Sequence, residues 1–432
     1  MYDSVSRREF LKAALLAGTS VPVAGGFVPQ ILPAAESKSP NEKLNIAAIG
    51  VRGKGASNIA GVKTENIVAL CDIDAARLAE AAKDFPKAQT FDDFRRVLDL
   101  KNLDAVVVST PDHMHAIPVV QAMRRGLAVY CEKPLAHSVH EIRVMREVAK
   151  ENNIVTQMGT QIHAGDNYRR VVEIIQAGVI GPVRRVHVWQ SNTVPPGQRV
   201  KEGKVPEGIN YDVWLGPAPY RPFHISHFHF NWRFWWDFGG GNLADMGCHY
   251  IDLPYWALGL RYPTTVSAKG EKGHGGDNEV PNYLQADYHF PARGDQPPVH
   301  LTWYQGGWRP EGAEQYERNS AVLFEGDHGR LVADYRTHKV FLQEGKTAEP
   351  VEQTIPASIG HHQEWVHAVK TGGPTTCNFD YSGALAETVL LGNVSYRVGG
   401  KTLEWDPENL KAKNCPEADQ YIRREYRKGW TL

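Results

Sequence analysis

The sequence predicts an α/β protein: a doubly wound parallel sheet in the first half, then a second α/β domain built on a mainly antiparallel sheet. Three observations carry this. Between Leu44 and about Gly159, short wholly apolar runs alternate with amphipathic helical segments, the pattern of a parallel sheet covered on both faces. Beyond Gly178, strand-like runs follow one another across Gly, Asp and Pro turns, which favours antiparallel pairing. The chain has 432 residues, 42% of them apolar, enough for two or three domains with buried cores.

Leu44–Val51 is a continuous apolar run ending in glycines, and Asn66–Cys71 is a second, closed by Asp72. Asp74–Asp84 and Asp92–Leu98 read as helices, and Ala105–Ser109 as a Val-rich strand. The helix Ile117–Arg125, the strand Ala128–Tyr130, the helix Val139–Asn152 and the strand Ile154–Met158 complete the first half. In the second half Tyr168–Ala177 is an amphipathic helix stopped by Gly178, and Val183–Trp189 reads as a strand. Further strands are expected at Thr265–Ala268, Tyr283–Phe290, Val299–Tyr304, Ala321–Phe324 and Leu331–Tyr335. Late helices at His361–Thr371 and Gly383–Arg397 are expected to pack where the two halves meet. The expected divisions are residues 1–40, 41–160 and 161–432.

The first forty residues read as an address. Ser6-Arg7-Arg8-Glu9-Phe10-Leu11-Lys12 precedes an apolar, small-residue stretch from Ala13 to about Val28, matching a twin-arginine export signal. Gly18, Pro22, Gly25 and Gly26 would break a lasting helix there. A periplasmic or secreted destination is therefore expected. Export of folded protein lets scattered cysteines survive an oxidising compartment.

Composition excludes several classes. With 48 Lys+Arg against 49 Asp+Glu, the net charge of −1 argues against a general nucleic-acid binder. No apolar run reaches the ~18–20 residues of a spanning helix. Cys71, Cys131, Cys248, Cys377 and Cys415 are far apart with no CxxC pair, so neither a disulfide framework nor a cysteine zinc site is indicated.

The first turn, Gly50-Val51-Arg52-Gly53-Lys54-Gly55, approximates a dinucleotide fingerprint. Arg52 stands where the middle glycine is usual, with Gly53 beside it. Gly50 and Gly55 can form the tight strand-to-helix turn whose amides face a pyrophosphate, and Arg52 is placed to contact phosphate. Asp72 ends the second strand, where a carboxylate accepts ribose hydroxyls and repels a 2′-phosphate. NAD is thus favoured over NADP.

Lys133 lies just past the strand Ala128–Tyr130, at the sheet edge where such folds bind ligands. Asp245 and His249, four residues apart, share one face of a helix that follows the Gly239–Asn242 loop. By spacing alone they suit a surface pair or a metal half-site. Between Lys133 and Asp245 in sequence lies His224-Ile225-Ser226-His227-Phe228-His229-Phe230-Asn231-Trp232-Arg233-Phe234-Trp235-Trp236-Asp237. Its rings suit either sugar stacking or core packing, and its three histidines raise a metal hypothesis. With no cysteine nearby, no metal is expected.

Several motifs together resemble the Gfo/Idh/MocA family, the glucose–fructose oxidoreductase and inositol dehydrogenase group. They are Ser109-Thr110-Pro111-Asp112-His113, Glu132-Lys133-Pro134 and Tyr211-Asp212-Val213-Trp214-Leu215-Gly216-Pro217. Gly239-Gly240-Gly241, Asp245-Met246-Gly247-Cys248-His249, Ile251-Asp252 and Glu387-Thr388-Val389-Leu390-Leu391-Gly392 continue the match. The resemblance implies a Rossmann domain, then a C-terminal domain whose open sheet often forms a homo-oligomer interface. It places Thr110, Pro111, His113, His115 and Glu132 beside the cofactor, and Lys133, behind an often cis peptide, against the reacting hydroxyl. It makes His249 the proton acceptor and Asp245 the group that orients its ring and a substrate hydroxyl. By residue type and place, Trp232, Arg233 and His163, which follows the last Rossmann strand, are further candidate substrate contacts. The implied activity is hydride transfer between a sugar, polyol or glycoside carbon and a retained NAD. The alternatives are an NAD-dependent glycosidase working through transient C3 oxidation, and a non-catalytic sugar-binding protein.

Overall fold

The computed structural model describes residues 43–432, so the export signal expected within residues 1–40 lies outside the described residues. Runs of Val, Ile and Ala form a six-stranded sheet among them: β1 (Asn45–Ile49), β2 (Asn66–Cys71), β3 (Gln89–Phe91), β4 (Ala105–Val108), β5 (Ala128–Cys131) and β6 (Thr156–Met158). The order is β3-β2-β1-β4-β5-β6 and every pair is parallel. Alternate side chains feed different cores: Val106, Val108 and Cys131 join one, and Ala105, Val107 and Tyr130 the other. That two-sided burial is why these strands read as unbroken apolar runs.

Local capping fixes the covering helices. Asp74 accepts the amides of Ala76 (3.0 Å) and Arg77 (3.1 Å), which starts the helix Ala75–Asp84. Ser138 and Glu141 form a reciprocal capping box on the helix Val139–Glu151. Because strand order reverses between β1 and β4, a crevice opens past their carboxyl ends.

The second sheet contains β7 (Val183–Gln190), β8 (Thr265–Glu271), β9 (Tyr283–Phe290), β10 (Val299–Gln305), β11 (Ala321–Gly326), β12 (Gly329–Ala333), β13 (His338–Leu342), β14 (Leu403–Asp406) and β15 (Lys411–Ala412). Its order is β13-β12-β11-β7-β10-β9-β8-β14-β15. The pairing is antiparallel except between β7 and β10, which run parallel, a departure from simple succession. The long excursion from Ser191 to Thr264 lets β10 arrive beside β7 in the same direction. β3, β13, β14 and β15 were not expected from the sequence, and β12 begins and ends two residues before the expected strand.

The helix His361–Thr371 matches its expected span; the last long helix, Phe379–Arg397, starts four residues early. Asn378 caps it, accepting the amides of Asp380 (3.0 Å) and Tyr381 (3.2 Å). Its fully buried Glu387 receives Arg143 (2.8 and 3.0 Å) and Arg146 (2.9 Å) from the helix Val139–Glu151. The late helix thereby ties the two halves together. Tyr211, Trp214, Phe223, Phe228, Trp232, Trp235 and Phe238 form a separate aromatic core. All five cysteines are buried and unpaired. No helix among the described residues is long and apolar enough to cross a membrane.

Candidate active site

The crevice beyond β1 and β4 widens into a cleft of about 800 Å³, whose walls come from both halves of the chain. Its floor is a turn in which two glycines, Gly50 and Gly55, have no room for a side chain. Gly50 has φ +85°, and a Cβ there would lie 2.7 Å from the carbonyl oxygen of Ser109; one on Gly55 would lie 2.0 Å from that of Gly50. Gly53 N-caps the helix Lys54–Val62 without a side-chain capping bond; the Gly55 amide closes the turn onto the Arg52 carbonyl (3.1 Å), and the helix N-terminus faces the cleft. Arg52 lines the cleft but turns to Glu80 (3.0 Å), so its departure from glycine does not fill the cradle. Asp72 lies on the same wall and accepts the amides of Val51 (3.0 Å) and Asp74 (3.1 Å). Burial raises its pKa against the pull of those amides. A bare glycine turn, a helix N-terminus and a carboxylate at the end of β2 fit a dinucleotide.

Thr110, Pro111, Glu132 and Lys133 line the cleft from the ends of β4 and β5, and the Lys133–Pro134 peptide is cis. Glu132 is buried and accepts Asn58 Nδ2 (2.9 Å) and Gln161 Nε2 (3.0 Å). Across the cleft, the Gly240–Gly241 turn starts the helix Gly241–Tyr250, which carries Asp245 and His249. Lys133 Nζ forms an ion pair with the Asp245 carboxylate and donates to its carbonyl oxygen (2.7 Å). Arg233 Nε reaches the same carboxylate at 2.9 Å. Burial alone would raise Asp245, but Lys133 and then Arg233 outweigh it and hold the carboxyl well below the usual range. Arg233 is sandwiched between Phe230 (4.5 Å) and Trp232 (4.2 Å), all three facing the cleft.

His249 faces the same space, and its ring has no hydrogen-bond partner among the described residues. Asp245 therefore does not orient the imidazole, contrary to the sequence expectation: two cations outcompete it for the carboxylate. Burial, reinforced by Lys133, lowers His249 to about 3, so the ring is neutral at neutral pH.

Three other histidines differ from expectation. His113 is buried, with Nε2 at 2.7 Å from the Trp214 carbonyl and Nδ1 at 3.3 Å from that of Phe238. His115 Nε2 lies 2.7 Å from the Thr110 carbonyl. Neither lines the cleft; both brace the loop after β4. His163 is also buried away from the cleft, held by Asp252 (2.9 Å) and stacked on Trp256 at 4.2 Å. Burying an imidazole needs polar partners, and these serve at least one nitrogen of each ring, His115 Nδ1 staying buried without one. The histidine cluster is likewise divided: His224 bonds Ser226 (2.7 Å), His227 bonds Tyr211 (2.9 Å), and only His229 faces the cleft. Among the described residues no three His, Cys, Asp or Glu side chains converge as metal ligands.

Asp112, Lys54 and Gln161 line the cleft but were not singled out from the sequence. Burial lifts the Asp112 carboxyl to about 8, against Arg233 and Lys133. Its signal was its place inside the Ser-Thr-Pro-Asp-His motif; Lys54 stood within the glycine turn.

Residues 44–160 match the oxidoreductase family model for an NAD-binding Rossmann fold, and residues 174–432 match the model for the family's C-terminal alpha/beta domain. Inositol 2-dehydrogenase of Salmonella typhimurium is 29% identical over 176 residues, 39% of this chain and 50% of that protein. Inositol 2-dehydrogenase 3 of Saccharopolyspora erythraea is 35% identical over 131 residues, 30% of this chain and 38% of the relative. The chain thus matches about half, or less, of the length of these curated relatives. The WlbA dehydrogenase of Bordetella pertussis, solved with NADH and UDP-GlcNAcA, has the same fold at TM-score 0.62 and 17% identity, over 84% of this chain and 99% of that one. The aldose–aldose oxidoreductase of Caulobacter crescentus, complexed with glycerol, aligns at TM-score 0.59 and 17% identity over 84% and 100%. With both of its domains matched, this chain belongs to the Gfo/Idh/MocA oxidoreductase family.

Proposed function

We propose that the protein is an NAD-dependent dehydrogenase acting at a CH–OH carbon of a sugar, polyol or glycoside. One observation carries this reading: the Lys133 ammonium and the neutral His249 imidazole face the cleft into which the glycine turn opens. The Gly50–Gly55 turn and Asp72 would hold NAD, which when bound supplies the hydride acceptor. Asp72 favours NAD over NADP, because a carboxylate there repels a 2′-phosphate. Lys133, fixed by Asp245, sets a positive charge against the hydroxyl oxygen as it becomes a carbonyl. His249, whose ring nitrogens have no hydrogen-bond partner among the described residues, is neutral and so free to accept the O–H proton; burial and Lys133 oppose the resulting imidazolium, and the Asp245 charge offsets part of that cost. Phe230 and Trp232 offer ring faces to the apolar side of a sugar.

Two further parts of the proposal rest on other features. The Arg7-Arg8 pattern supports twin-arginine export with NAD retained in the folded protein. The partly buried polar face of the second sheet, with Arg185, His187, Asp287 and His300, is proposed as a homo-oligomer interface.

The test is incubation of the full chain with NAD and a panel of polyols, sugars and p-nitrophenyl glycosides. Reduced-nicotinamide absorbance should rise with at least one polyol or sugar. Nitrophenol release without net cofactor reduction would shift the reading to an NAD-dependent glycosidase. Silence across the panel, with NAD bound, would leave only a sugar-binding role.

A further inference from the structure

A second cleft, of about 700 Å³, lies where the last turn of the helix Phe379–Arg397 meets β8, and it shares no lining residue with the first. Its feature is Arg397. The guanidinium is layered between two rings, 4.0 Å from the Tyr421 centroid and 5.0 Å from that of Trp236. Among the described residues it makes no hydrogen bond and no ion pair. By contrast Arg143, Arg146, Arg221 and Arg233 each hold a carboxylate. The nearest acids are committed elsewhere: Asp237 to Arg221, and Glu279 to Arg199 (3.7 Å).

Ring faces strip water from both sides of a guanidinium but leave its edge of N–H donors open. None of its nitrogens is among the buried atoms lacking a partner, so that edge reaches solvent in the cleft. A planar donor fork without an acceptor matches a carboxylate in a bidentate pair. Trp236 and Tyr396, tilted 40° at 6.3 Å, wall the same cleft with aromatic surface. Lys269 and Glu279 also line it. Glu279 disfavours a doubly charged phosphate, while one carboxylate finds a net positive site. The volume suits a small sugar.

We propose that this cleft is a second ligand site that takes a carboxylate-bearing sugar ring, a hexuronate, with the Arg397 edge on the carboxylate and the ring against Trp236 and Tyr396. The site is independent of the hydride-transfer reading. Calorimetric titration of the full chain with glucuronate, glucose and inorganic phosphate tests it. Glucuronate should bind saturably, and glucose and phosphate about tenfold more weakly or worse. Arg397→Gln should weaken glucuronate about tenfold or more, and Arg397→Lys less, because a point charge replaces the fork. Arg233→Gln, which alters only the first cleft, should leave the affinity within about twofold. The proposal is overturned by absent saturation, by equal binding of glucose or phosphate, or by loss in Arg233→Gln instead of Arg397→Gln. If Arg397→Gln does not fold, wild-type affinity in Arg397→Lys overturns it equally.

Discussion

Around the parallel sheet the cleft joins a tight backbone turn to charged side chains such as Asp72 and Glu132, whereas the half of the chain after β6 faces it with side-chain charge and aromatic rings. The turn from Gly50 to Gly55 works because two positions exclude even a methyl group. Opposite it, Arg233, Asp245 and His249 leave the geometry to helix and aromatic packing and contribute cations, a carboxylate and an imidazole. Lys133 is the bridge: it leaves β5 in the first half and finds its counter-ion 112 residues away in the second. The difference teaches that the glycine turn is vulnerable to volume, and the ion-paired wall opposite it to charge.

Replacing Asp245 by Asn should produce the largest effect that sharpens this contrast. Lys133 and Arg233 lose their common anion, so turnover should fall about a hundredfold while NAD affinity stays nearly unchanged. Steady-state rates on the best substrate of the panel, beside an NAD titration, check it. Equal losses in both would erase the division between halves. Next comes Gly55→Ala, whose Cβ would meet the Gly50 carbonyl. It should cost about 1–3 kcal/mol in denaturant unfolding and weaken NAD, because overpacking must shift the turn.

The smallest expected effect is a change of pH slope from Asp112→Asn. Unfolded, Asp112 ionises near 3.8; folded, near 8. Between those values the native state keeps a proton that the unfolded state has released, so this residue's contribution to stability declines as pH rises from about 4 to about 8. The variant should gain thermal stability relative to wild type more at pH 8 than at pH 5, the two ends of that window. A constant difference across the window would contradict the burial of this carboxyl.

Strands buried on both faces announce themselves, which is why β1, β2, β4 and β5 were legible from residue type alone. β3 was not: it is three residues long, and Gln89 and Thr90 are exposed. β13 sits at a sheet edge with Lys339 and Phe341 exposed, so its pattern carries little contrast. The parallel pairing of β7 with β10 depends on how a long excursion returns, which local periodicity does not encode. Within the site, the family resemblance pointed to Lys133, Asp245 and His249 together, and all three line the cleft. It could not say which partner Asp245 takes, since that competition is settled by charges distant in sequence. His113, His115 and His163 were expected at cofactor or substrate, yet each is a buried ring held by a carbonyl or a carboxylate away from the cleft. Arg397 carried no sequence signal at all.

The most direct measurement is single-turnover reduction of bound NAD by an active sugar or polyol, in wild type, Lys133→Met and His249→Gln. Wild type should show a rise in reduced-nicotinamide absorbance. Both variants should slow by on the order of a hundredfold or more at unchanged NAD affinity. Wild-type rates in both variants would contradict the claim that this ammonium and this imidazole act on one carbon.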